Sequence, residues 1–188
     1  RTTEDLSEAA RVHDSTTDLP DARLFNDRLR YAVARGRRFQ EAAAIITFNL
    51  ERFFDADSGY SEADRDALLK VIAVRIRDAI RETDMAARLD DLEFGVLLSP
   101  VDGSLSHQDM AQRIADSLSA PIDLPERSVR LTEACAFKFL QLDGRDAEDQ
   151  LRSCRKGEGK VIQVSGRGQA PEPRPKGQNG AGADRRST

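Results

Sequence analysis

MAARLDDLEFGVLL, Met85–Leu98, holds two short apolar runs, Met85–Leu89 and Glu93–Leu98, parted by Asp90, Asp91 and Leu92. Runs of this length around a three-residue break that opens with two aspartates predict a β-hairpin. Before it, Ser61–Thr83 places Leu68, Leu69, Ile72, Ile76 and Ile80 on one stripe, predicting a long amphipathic helix. Earlier still, Ala42–Leu50 (AAAIITFNL) is apolar and β-branched, as a buried strand requires. A polar loop is expected between that strand and the helix.

Farther out, Asp21–Arg38 carries Leu24, Phe25, Leu29 and Val33 at helical spacing, and Asp14–Pro20 reads as a turn. Arg1 to about His13 reads as the end of a polar helix. On the other side, His107–Leu118 predicts a helix, Val129–Leu140 a strand, Asp146–Arg155 a short helix and Lys160–Val164 a last strand. Alternating helices and strands with one central hairpin give an α/β (α+β) fold with a mixed sheet. The domain is expected over 14–165, after a signalling or linker helix over 1–13. A basic, disordered tail is expected over 166–188, where proline, glycine and charge dominate.

Composition bounds the function. The chain has 188 residues and a net charge of −4. The tail from Gly166 carries +3, leaving about −7 on the body. An acidic body argues against nucleic-acid binding, which wants a broad basic face. Cys135 and Cys154 lack disulfide-framework or metal-ligand spacing, so a reducing cytoplasm is expected and no metal site is assigned. No apolar run reaches the roughly 18–20 residues of a membrane span. The first residue, Arg1, is not methionine, which reads as a piece of something longer, with room for a membrane anchor or sensor upstream.

The order helix, strand, loop, long helix, hairpin resembles that of GGDEF domains, and three motifs agree in register. HDSTTDLPDARLF, His13–Phe25, is similar to the family opening HDxLTGLPNRRLF; FNLERFF, Phe48–Phe54, stands where the family has LDLDxFK; RLDDLEF, Arg88–Phe94, stands where it has RLGGDEF. The resemblance covers about residues 13 to 165 and implies a nucleotide-cyclase-like sheet of about five strands flanked by helices.

It also implies what is lost. Active members are similar in condensing two GTP molecules with divalent metal ions, which want charged oxygens. Asn49 stands where a metal-binding aspartate is expected, Leu92 at the signature aspartate, and only Glu93 keeps its carboxylate. Asp90 and Asp91 replace the two glycines that let backbone approach a triphosphate, placing bulk and negative charge against an anion. Asp57 replaces a guanine-reading asparagine, while Asp66 keeps the second guanine contact. Phe54 replaces the phosphate-neutralising lysine. The resemblance therefore implies a degenerate domain without cyclase activity or cofactor. Between Asp146 and Lys160 the chain is shorter than the family's segment. The family's basic residue there is either Arg155 or Lys156.

A second, inhibitory site of the family is marked by RxxD five residues before the signature. Arg81–Asp84 has that register, and Arg113, in Ala111–Ile114 (AQRI), matches an arginine of the following helix. The other RxxD copies, such as Arg52–Asp55 and Arg75–Asp78, lie off register and read as accidents of a charged sequence. Cyclic di-GMP offers guanine edges and two phosphates; an arginine fork can bond guanine O6 and N7, and a carboxylate can accept from the N–H edge. The expected ligand is cyclic di-GMP, at Arg81, Asp84 and Arg113, in an effector that relays to a partner or flanking domain and has the option of a homodimer. The bland alternative for Arg81 and Asp84 is a solvated ion pair at a helix end. Two other functions stand beside the receptor: a ligand-independent dimerisation scaffold, and allosteric GTP binding through Asp66 and Glu93.

Overall fold

A computed structural model describes residues 12–56, 59–100, 106–131 and 136–162. The order is α1 (Ala22–Phe39), β1 (Ala44–Asn49), α2 (Glu51–Ala56), α3 (Glu62–Ala79), β2 (Met85–Asp90), β3 (Glu93–Leu98), α4 (His107–Ser119), β4 (Ile122–Asp123), β5 (Ser128–Val129), β6 (Phe137–Gln141), α5 (Ala147–Lys156) and β7 (Lys160–Ile162). Five strands form one sheet in the order β2-β3-β1-β6-β7, and β4 and β5 form a separate hairpin. No described helix is long and apolar enough to cross a membrane.

Every pairing in the main sheet is antiparallel, which corrects the expected mixed sheet. The strands β1 and β2, joined through α2 and α3, run in the same direction, but β3 inserts between them and removes any parallel ladder. Residue alternation sends Ile46, Phe48, Phe94 and Val96 to one face, under α3 and α4. Ile45, Ala87 and Leu97 point to the other, under Phe25, Leu29 and Val33 of α1 and Leu151 of α5. Gly95 is needed where α1 meets the sheet, because a Cβ there would lie 2.7 Å from Leu89 Cδ1 and 3.2 Å from Phe25 Cζ.

Helix starts follow their caps. Asp21 accepts from the Leu24 amide, and Ser61–Asp64 and Ser106–Asp109 form capping boxes. Three element limits differ from the sequence reading. The loop after β1 contains α2, started by Asn49 Oδ1 accepting from the Glu51 amide at 2.6 Å. The long helix stops at Ala79 and not Thr83: Ile80 is extended, and Asp84 bonds the Arg81 amide, closing a turn that competes with the helix. Of the strand expected over Val129–Leu140, the described residues form two pieces: Phe137–Gln141 lies in the main sheet, while Val129 faces Ile122 in the small hairpin. His13 bridges to Pro20 and does not end a helix. The rest of the expected N-terminal helix (1–11), Asp57, Cys135 and the tail lie outside the described residues.

Candidate functional site

The opening motif is a clasp on the hairpin. Asp14 Oδ1 accepts from the Thr17 amide (2.8 Å) and hydroxyl (2.7 Å), and both carboxylate oxygens accept from Arg88 Nη1 at 2.9 Å. Arg88 Nη2 continues to the Asp91 carbonyl at 2.7 Å, and its backbone amide donates to the Pro20 carbonyl at 2.9 Å. Burial pushes the Asp14 carboxyl up, but the bonds from Thr17 and Arg88 outweigh it and hold the group below the usual carboxylate range.

At the hairpin tip, Asp90 and Asp91 are exposed, and the Asp90 side chain accepts from the Asp91 amide at 2.8 Å. Leu92 instead turns toward the α3 face and packs on the core, while its carbonyl accepts from the Leu50 amide at 2.9 Å. Glu93 faces the opposite way, beside Asn49 in the β1–β3 register. Its carboxylate is held by Arg155 of α5 through two bonds of 2.8 and 2.7 Å, with the Glu93 side chain only 12% exposed. Of the two basic residues the sequence left open, Arg155 is the one that reaches the signature. Nothing in the sequence paired it with Glu93, 62 residues away.

Beside the tip lies a cleft of about 500 Å³ lined by Phe54, Tyr60, Arg65, Asp66, Arg88 and Asp91. Phe53, Phe54 and Tyr60 meet ring to ring at 5.3 Å. Arg65 lies over Phe54 at 5.4 Å and Arg127, from the small hairpin, over Tyr60 at 4.7 Å. Sequence reasoning did not find Tyr60, Arg65 or Arg127. Their signal is distributed over the segment after α2, the first turn of α3 and a distant hairpin.

Arg81 and Asp84 are on a turn and not, as the sequence suggested, on a helix end. They form no ion pair with each other: Asp84 Oδ2 accepts from the Arg81 amide at 3.0 Å and Oδ1 from the Ser99 amide at 2.9 Å. The carboxylate thus builds the turn. The Arg81 and Arg113 guanidinium groups make no hydrogen bond or ion pair among the described residues; Arg81 is half-buried and Arg113 exposed. Arg75 of α3 bonds the carbonyls of Ser117, Ala120 and Pro121 at the far end of α4. Because α3 enters β2 and α4 leaves its antiparallel partner β3, the two helices run antiparallel. The turn after α3 therefore lies toward the Arg113 half of α4.

A five-stranded sheet between two helix pairs, with the signature at a hairpin tip, has the architecture expected of the nucleotide-cyclase type. Residues 11–156 match the family described as Diguanylate cyclase, GGDEF domain, and the chain belongs to that family. It is 36% identical over 116 residues to the diguanylate cyclase TpbB of Pseudomonas aeruginosa, covering 62% of this chain and 27% of that one. It is 28% identical over 143 residues to the bifunctional diguanylate cyclase/cyclic di-GMP phosphodiesterase MucR of the same organism, covering 74% and 20%. The chain thus spans about a quarter or less of these relatives. Among solved structures it superposes on the TpbB GGDEF domain with a TM-score of 0.66 at 28% identity, covering 78% of this chain and 88% of that one. A sensory box/GGDEF family protein from Caulobacter crescentus gives 0.68 at 26%, covering 78% and 95%.

Proposed function

We propose that this GGDEF domain has left cyclase chemistry and acts as a receptor for cyclic di-GMP, relaying its level to a partner or neighbouring domain. Arg81 and Arg113 grip the dinucleotide, and Asp84 holds the turn that presents Arg81. The observation that carries this reading is the contrast in side-chain engagement. The groups cyclase chemistry would need are occupied or changed: Glu93 is tied to Arg155, Asn49 caps α2 and Leu92 packs inward. That donor set does not fit a pair of hard divalent cations. The guanidinium groups of the two arginines of the other site, by contrast, are without partners among the described residues. A bidentate arginine–guanine contact is worth about 1–3 kcal/mol of discrimination.

One sample tests both halves. A product assay with GTP and Mg²⁺ is expected to yield no cyclic di-GMP, while the same protein binds added cyclic di-GMP at micromolar levels. Product formation, or no binding, overturns the corresponding half. A second reading, allosteric GTP binding, is favoured by the aromatic cleft beside Asp66. Against it stand the Asp91 carboxylate on the rim and the loss of both glycines. A GTP titration whose heat is insensitive to Arg81→Ala would favour that second reading.

A further inference from the structure

His107 opens α4 and is 5% exposed, yet both ring nitrogens are engaged. Nε2 lies 2.9 Å from the Ser99 carbonyl, which only accepts, so Nε2 carries the proton. Nδ1 meets the Gln141 side-chain amide, 3.2 Å from its Nε2 and 3.3 Å from its Oε1, and Gln141 Nε2 donates to the Ala43 carbonyl at 3.0 Å. This arrangement gives both ring nitrogens a partner and fixes the orientation of the ring. Ser99 in turn donates its amide to Asp84 Oδ1 and its hydroxyl to the Thr83 carbonyl. One hydrogen-bond chain therefore runs from β6 through the first residue of α4 to the Arg81–Asp84 turn.

We propose that His107 is a positioning residue for the cyclic di-GMP site: it fixes α4, and with it Arg113, relative to the turn that carries Arg81. The proposal rests on the receptor reading above. His107→Asn keeps a polar group near Gln141 and is too short for Ser99, whereas His107→Gln places an N–H at about the reach of Nε2.

The test measures cyclic di-GMP affinity of the wild type, both variants and each in an Arg113→Ala background. His107→Asn is expected to weaken binding fivefold or more and His107→Gln to stay within twofold of wild type. In the Arg113→Ala background the Asn penalty is expected to shrink below twofold, since nothing remains to be positioned. Equal affinity of wild type and His107→Asn, or an undiminished penalty without Arg113, overturns the proposal. Nitrogen-15 NMR of the imidazole gives a readout without ligand: an Nε2–H tautomer is expected, and the Ser99 amide exchanges at least tenfold faster in His107→Asn. If the wild type bound no cyclic di-GMP, the receptor reading would fall. The tie would then be judged by this NMR alone, where an Nδ1–H tautomer or unchanged Ser99 exchange overturns it.

Discussion

Replacing Asp14 by asparagine should destabilise the domain by about 3 kcal/mol. The substitution removes the charge at nearly constant shape: Asn Oδ1 can keep the two Thr17 bonds and one bond from Arg88 Nη1, while its NH₂ sets a donor where the second oxygen accepted from Nη1. Arg88 is 12% exposed and Asp14 21%, so the positive charge left behind is mostly desolvated. Breaking a buried pair from one side costs about 3–5 kcal/mol, and the exposure of Asp14 argues for the lower end. Arg88 Nε is already buried without a partner, so no spare bond can absorb the loss. At about 2–4 °C per kcal/mol for a domain of this size, the melting temperature should fall by roughly 9 °C.

The pair gives a second, sharper signature. Adding Arg88→Met to Asp14→Asn should recover about 2 kcal/mol, because the orphaned charge is gone. The pH dependence has a fixed sign. The folded Asp14 carboxyl lies below its ordinary value, so its stabilisation is present above the ordinary carboxylate pKa and lost as pH falls through the folded one. The gap between wild type and Asp14→Asn should therefore be full at pH 7 and close in strong acid. Urea unfolding across pH checks this. A single-variant cost below about 0.5 kcal/mol, or strict additivity with Arg88→Met, would refute the clasp.

Three further outcomes follow from other parts of the fold. Gly159→Ala would drive a Cβ into the Phe139 carbonyl, so it should destabilise by about 3 kcal/mol or prevent folding, read by thermal melting against Gly36→Ala, whose Cβ meets only the Glu41 carbonyl at 3.1 Å. Burial pushes the Cys154 thiol up to about 11, so mass spectrometry should find it unalkylated in native protein at pH 8 and alkylated after denaturation. Arg155→Gln should cost about 1–2 kcal/mol, tempered by the 43% exposure of Arg155, and should yield no cyclase product from GTP, since Asn49 and Leu92 remain.

Much of the fold was legible because its strongest signals are local. The stripe from Leu68 to Ile76 buries one helix face, and the short apolar runs at Ala42–Leu50 and Glu93–Leu98 are buried on both sides of the sheet, so the apolar pattern reports burial directly. The sheet order was not legible, because strand neighbours depend on β3 inserting beside β1, which no local pattern encodes. The end of α3 was missed because Ile80 continues the apolar stripe while Asp84 captures the Arg81 amide. At the candidate sites, the sequence named Glu93, Arg81 and Arg113 but not what surrounds them. Arg155, His107 and Ser99 act through contacts spanning 8 to 62 residues, and the part of Asp84 in building the turn became visible only with its backbone partners.

Whether cyclic di-GMP binds at the Arg81–Arg113 site is decided by isothermal titration of the dinucleotide into wild type beside Arg81→Ala. Wild type is expected to bind at micromolar levels or tighter, with affinity weakened tenfold or more in the variant, about 1.4 kcal/mol. Equal affinity in the two proteins, or no heat from a folded wild type, would contradict it.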